Sequence, residues 1–270
     1  MPTGLAAIDD NRPRALVAAG AAWIAIALAG QAIFATYVLV FYGGAVVRGD
    51  LAAWNQVFPR GYAHGDVFGN LLVASHVAFT VLLVLAGAVQ LMPAVRNRAP
   101  WLHRISGRVF VSGAAVIALG GLGMMLHRGA VGDSAQHFAL AVNAVVILVC
   151  AAQALRYARA RRFPQHRAWA LRLWIAFSGV WFFRIGLALW IVAHGEPVGF
   201  DPDSFTGPFL TTWAFGQYVV PLAFLEVWLR TERHATPVLA NAMAVLFAAL
   251  SLVTLAAIGA ASLLLWLPRL

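Results

Sequence analysis

Four histidines stand where helical geometry could turn them into ligands. His76, His103, His137 and His166 fall on four consecutive apolar runs, one on each. Neutral imidazole is a good iron ligand, and helix bundles build cofactor sites from side chains on facing helices. Successive runs that cross a bilayer alternate in direction, so His76 and His137 share one half of it and His103 and His166 the other. This sorting predicts an outer and an inner pair, each able to hold haem iron between two imidazoles: one or two b-type haems, stacked across the membrane. Steps of three and four residues show what shares a face with each ligand. His76 leads to Thr80, Leu83, Gly87 and Gln90, and His103 to Gly107, Phe110, Ala114, Ile117 and Gly121. His137 leads to Ala141, Ala144, Leu148 and Ala151. Small residues beside a ligand leave room for a flat macrocycle, and equally let helices approach closely.

Arginines accompany the histidines. The face of His166 runs through Ala170, Leu173, Phe177 and Val180 to Arg184, at a depth comparable with His76. An arginine inside a membrane is costly and faces a partner or an aqueous cavity. No acidic residue matches its depth, since Glu226 lies near the other end of its helix, with Arg230 as its i+4 neighbour. Two kinds of partner remain for Arg184: a propionate of the outer haem, or water and backbone carbonyls. Around His103 and His166 crowd Arg104, Arg108, Arg167 and Arg172. Guanidinium binds carboxylate or phosphate in bidentate fashion. This cluster therefore suits propionates, lipid phosphate or a soluble anion.

The elements that must position these residues are membrane helices. Only 11% of the 270 residues are charged and 62% are hydrophobic, against roughly 25% charged in a soluble domain. A bilayer core takes about 20 apolar residues to cross and offers no water to unpaired backbone groups, so the runs must be helical. The fold class is an all-α integral membrane protein, a single polytopic domain over residues 1–270. Apolar runs at about 15–41, 68–92, 104–127, 134–159, 166–194, 205–229 and 236–267 predict seven transmembrane helices, the second to fifth forming a four-helix core. The one long connection, 42–67, contains Trp54, Phe58 and Tyr62 and suits an interfacial segment. The polar stretch 9–14 precedes a run too long for the apolar region of a signal peptide, so it reads as a first anchor.

All 19 basic residues are arginine. Fourteen fall at the helix ends that share a side with the N-terminus and four at the opposite ends, with Arg184 between. The positive-inside rule then places the N-terminus in the cytoplasm and the C-terminus outside. Arginine without lysine, in an alanine-rich chain, suggests a GC-rich bacterial genome, hence the inner (cytoplasmic) membrane. The net charge of +9 is not gathered into a basic domain, so nothing indicates nucleic acid as a partner beside the lipid bilayer. Cys150 is single and apolar in its surroundings, and without C-x-x-C-H covalent c-type haem is excluded.

Three strings resemble a known family. Gly87-Ala88-Val89-Gln90, then Arg98 with His103-Arg104-Ile105-Ser106-Gly107-Arg108, then His166-Arg167-Ala168-Trp169-Ala170-Leu171-Arg172, look like the bacterial membrane family called domain of unknown function 2306. Phe110 and Ala170 stand where tyrosine and methionine would be expected. The resemblance covers the second to fifth helices and implies no activity. More distantly, one histidine on each of four successive helices, paired second with fourth and third with fifth, is similar to cytochrome b561 and related transmembrane electron carriers. That resemblance implies an outer haem on His76 and His137 and an inner haem on His103 and His166. It also implies an electron donor and acceptor, quinone among the candidates. Seven helices in place of six, and no ascorbate-binding signature, are departures from that pattern.

Two other readings stay open. In a non-redox protein, His103, His166 and their arginines would bind lipid phosphate, an anionic metabolite or a partner protein. In a copper transporter or sensor, Met124, Met125 and His127 would join His137, with His64 and His194 on the same side. Gln217, Tyr218 and Asn241 are polar points inside apolar runs, placed to meet a quinone or to hydrogen-bond between helices. Asp201 and Asp203 mark a turn, with a secondary cation-binding reading. No zinc helix, nucleophile elbow or phosphate-cradling loop is present.

Overall fold

The computed structural model describes residues 14–58, 60–129, 131–234 and 236–270, without the side chains of residues 233 and 234. The polar stretch at 9–13 lies outside the described residues. Helix α1 (Arg14–Val38) runs through a π-helical turn (Leu39–Gly43) into the short α2 (Gly44–Arg48). Then come α3 (Val67–Leu91), the surface turn α4 (Pro93–Arg98), α5 (Pro100–Arg128) and α6 (Ser134–Arg159). Helices α7 (Phe163–Phe177), α8 (Gly179–His194), α9 (Pro208–His234) and α10 (Pro237–Ala261) complete the chain. Starts follow from local chemistry. Asp66 caps α3 by accepting from the Gly69 amide, Asp133 caps α6 through Gln136, and proline stands in the first turn of α5, α7 and α10, where its missing N–H costs nothing.

Among the described residues, five helical stretches are long and apolar enough to cross a membrane, and a sixth if α7 and α8 form one span bent by 50°. The expected count of seven therefore differs by α9, whose 27 residues include Thr211, Thr212, Gln217 and Tyr218 and are less apolar. The bend is a second difference, because one continuous helix was expected over 166–194. It falls at Ser178–Gly179, a Ser/Gly pair of the kind that kinks helices. The segment 42–67, expected at the membrane interface, packs back on the chain at Trp54. Trp54 is 4% exposed and donates from Nε1 to the carbonyl of Tyr42 at 3.3 Å, which tucks the segment against the end of α1.

The packing order makes a ring. Helix α1 lies against α10 and α3, α3 against α5, α5 against α6, α6 against α7, and α8 closes back on α10. Helix α9 packs against α6, α7, α8 and α10. Where α1, α8 and α10 meet, Gly30 gives the clearance: a Cβ there would run into Ile258 of α10 and lie 2.8 Å from Trp181 of α8. Overpacking of this kind costs about 1–3 kcal/mol. Gly30→Ala is therefore expected to lower the thermal unfolding midpoint in detergent, measurably and without changing helix content. An unchanged midpoint would mean that the three helices are not closed on one another there.

Candidate functional site

Inside the ring, in the half towards the loop 57–66, lies a cavity of about 290 Å³. Every helix from α1 to α8 except the short α2 and α4 contributes to its wall. From α1 and its π-helical turn come Gln31, Phe34, Tyr37 and Tyr42; from α3 come His76 and Thr80; from α5, Gly121, Met124 and Met125; and from α6, Asn143. Ser178, Trp181 and Arg184 enter from the α7–α8 break and α8. A π-helical turn next to a cavity is a common mark of a functional site.

His76 and Arg184, placed at equal depth by sequence, do converge on this cavity. His76 sets its Cε1 within 3.6 Å of where a Gly121 Cβ would be, so glycine gives the imidazole its place against α5. Its buried Nδ1 finds no hydrogen-bond partner among the described residues. Arg184 is half-buried and bends back so that Nη1 donates to the Val180 carbonyl at 3.3 Å, while the guanidinium lies 5.5 Å from the centre of the Phe34 ring. No carboxylate pairs with it among the described residues, and Tyr37 and Tyr42 are in its electrostatic reach. An intramembrane arginine with only such weak partners is a functional-site signal.

His137 is placed differently. It stands in the first turn of α6, half-buried, and does not line the cavity, whose α6 wall is Leu140, Asn143, Ala144 and Ile147. Of the inner pair, His103 and His166 lie within electrostatic reach of each other. His166 Nδ1 lies 2.9 Å from the Ala154 carbonyl, a contact that fixes the ring and leaves Nε2 available. The small residues of that half, however, serve helix packing. A Cβ at Gly107 would sit 2.9 Å from Gln90 Oε1, one at Gly87 3.0 Å from the Phe110 ring, and one at Gly113 against Leu83. Of the two uses expected for the small stripes, close helix approach is the one realised between α3 and α5.

The arginine cluster is partly neutralised. Arg172 pairs with Glu226 at 2.6 Å and Arg167 with Glu232 at 2.8 Å, both through two hydrogen bonds. Glu226 thus has a cross-helix partner on α7 beyond its expected neighbour Arg230. Arg104 and Arg108 are exposed. The copper constellation is not assembled: His127 is drawn to Asp66 at 3.1 Å, His194 turns to the Trp190 carbonyl, and His64 is exposed. Among the described residues no group of three or more His, Cys, Asp or Glu could hold a metal ion. Gln217 and Tyr218 are buried on α9 outside the cavity wall, and Asn241 is exposed.

Val57 and Phe58, and Gly129 after α5, also line the cavity. Arg128 staples the loop 57–66: it donates to the carbonyls of Arg60 and Gly61, to Asn70 Oδ1 and, at 2.8 Å, to Asp66. Arg60 returns a bond to the Arg128 carbonyl. Gln31, Tyr37, Tyr42, Asn143 and Ser178 in the cavity wall carry no motif; their signal in the sequence is polar residues isolated within apolar runs.

Several apolar helices long enough to cross a bilayer, around a largely apolar cavity with a few polar side chains in its wall, define a polytopic membrane protein. Residues 73–224 match the family described as predicted membrane protein, domain of unknown function 2306, and the chain belongs to it. The match reaches from α3 into α9, further than the second to fifth helices that suggested it, and leaves α1 and α10 outside. No curated protein and no solved structure matches the chain, so the likeness to cytochrome b561 rests on the histidine pattern alone.

The amide of Gly69, then His127 and Arg128, hold the Asp66 carboxyl at about 2, below its usual range. A carboxylate with a depressed pKa stabilises the fold above its unfolded value, about 3.9, and that stabilisation is lost as pH falls through the folded value. Amide exchange in the loop 57–66 should therefore stay slow down to about pH 4 and quicken, relative to the intrinsic rate, as pH drops towards 2. Asp66→Asn should quicken it already at neutral pH. Equal protection in both proteins at pH 7 would show that Asp66 does not anchor the loop.

Proposed function

We propose that the internal cavity is the working site of this membrane protein and that its ligand is an electron-carrying amphiphile of the bilayer. The observation that supports this most is the convergence of His76 and Arg184 on one cavity, the arginine without a carboxylate and the histidine with a buried, unpartnered nitrogen. A b-type haem uses both: His76 would hold its iron and Arg184 would meet a propionate. When bound, it would supply one-electron chemistry. His103 and His166, within electrostatic reach of each other and with His166 oriented by a carbonyl, would be the place for a second haem. The arginine bias favours a cytoplasmic N-terminus, and electrons would pass across or along the membrane between partners still to be found.

The second reading, an anion or lipid-phosphate site at the inner cluster, is favoured by Arg104 and Arg108. Both are exposed and make no ion pair among the described residues. It is weakened by the two glutamates that already occupy Arg167 and Arg172.

A reduced-minus-oxidised visible spectrum of protein expressed with ample haem should show a b-type band. His76→Ala should abolish the signal of the cavity, and Arg184→Leu should shift its midpoint potential or its occupancy. A colourless protein would end the haem reading. A spectrum unaffected by either substitution would move the haem away from this cavity.

A further inference from the structure

The end of the bundle that carries α4 presents arginines without acidic company. Arg104 and Arg108 are exposed on α5, and Arg156 and Arg159 on α6. None of the four makes an ion pair among the described residues. No free carboxylate is at hand either. Of the described acidic residues, those at this end are Glu226 and Glu232, which meet Arg172 and Arg167. The others stand in the connections at the opposite end.

Topology alone puts arginines on one side of a membrane, but spacing decides what they face. Trp101, Arg104, Ile105 and Arg108 follow one another at i, i+3, i+4 and i+7, one stripe along the first turns of α5. All four are exposed, Trp101 by 60%. The stripe continues through Ser112 to Val116 and Leu119, which are exposed on the membrane-crossing part of the helix. Helix α6 packs against α5 and repeats the pattern in its last turns, at the same end. Ala152, Leu155, Arg156 and Arg159 are again i, i+3, i+4 and i+7 and again exposed, in line with exposed Val145 and Val149. The cavity takes other faces of the two helices, through Ile117, Ala118 and Gly121 on α5 and Asn143, Ala144 and Ile147 on α6. Both stripes therefore look out of the ring.

A guanidinium on such a stripe stands where an apolar outer face runs into the headgroup layer. Tryptophan is typical of that level, and an arginine stem lies along apolar surface while its charge stays at the interface. Guanidinium pairs with phosphate in bidentate fashion. A soluble anion would use the charges and leave Trp101, Ile105 and Leu155 bare. A phospholipid uses both, with its phosphate on the arginines and its chains on the apolar rows.

Resting on the anion reading of this end, we infer that the outward face of α5 and α6 binds anionic phospholipid. Arg104, Arg108, Arg156 and Arg159 hold the headgroup phosphates, and the rows from Val116 and Val145 carry the chains.

The full chain is reconstituted in nanodiscs of equal parts phosphatidylglycerol and phosphatidylcholine and released into mild detergent, and the lipids that stay bound are counted by native mass spectrometry. Phosphatidylglycerol should exceed phosphatidylcholine about fivefold or more, the ratio that one arginine at an anionic surface supports. Arg104→Gln with Arg108→Gln should at least halve that ratio. Adding Arg156→Gln and Arg159→Gln, with the unfolding midpoint unchanged, should bring it close to one, while Arg48→Gln at the opposite end leaves it as it was. Equal retention of the two lipids by the wild-type chain, or a preference that survives all four substitutions, overturns the lipid assignment. Calorimetric titration with inorganic phosphate separates that failure from failure of the anion reading. Saturable uptake of phosphate without lipid preference moves the site to a soluble anion, and uptake of neither removes the anion reading at this end.

Discussion

A break in a membrane helix frees carbonyls that no bilayer water can satisfy, so neighbouring side chains must satisfy them. The break between α7 and α8 imposes that demand here, and much of the cavity follows from it. Ser178 bonds back to Trp174, Gln31 reaches Ser178 from α1, and Asn143 reaches the Ala176 carbonyl from α6. Three helices are thereby tied to one point in the interior. The amides that repair the backbone spend their N–H groups on it. The 50° bend also gives α8 its own direction, and with it the placement of Trp181 and Arg184.

The arginines divide by the company they keep. Arg167 and Arg172 meet Glu232 and Glu226, and Arg128 meets Asp66 and three carbonyls while stapling the loop 57–66. Each of these has a structural task. Arg184 has an aromatic face and one carbonyl in its own helix. A charge inside a low-dielectric bundle with so little compensation is expensive to keep, and a ligand that brings an acceptor group would relieve that cost.

The long helices were legible because each needs only a run of apolar residues, and their ends followed caps and prolines such as Asp66, Asp133 and Pro100. The bend at Ser178 was not, since serine and glycine are ordinary in apolar helices and only the partners on α1 and α6 show that the ladder is interrupted. The depth match of His76 and Arg184 was readable from helical rise alone, and the structure sets both on one cavity. The pairing of His76 with His137 assumed that equal depth means a shared face; His137 lies a turn beyond the cavity wall of α6. The contribution of α1 stayed hidden because Gln31, Tyr37 and Tyr42 are scattered polar points with no motif, and the ring that brings them inward is a tertiary fact.

The central claim is that the cavity between α1, α3, α5, α6 and α8 holds a specific amphiphile. Native mass spectrometry of the chain extracted directly into lipid nanodiscs tests this most directly, read together with Gly121→Phe, which fills the space facing His76. The account predicts one bound small molecule of defined mass per wild-type chain, absent from Gly121→Phe even though that protein remains folded. A wild-type chain with no retained molecule, or the same molecule retained equally by the filled variant, would contradict it.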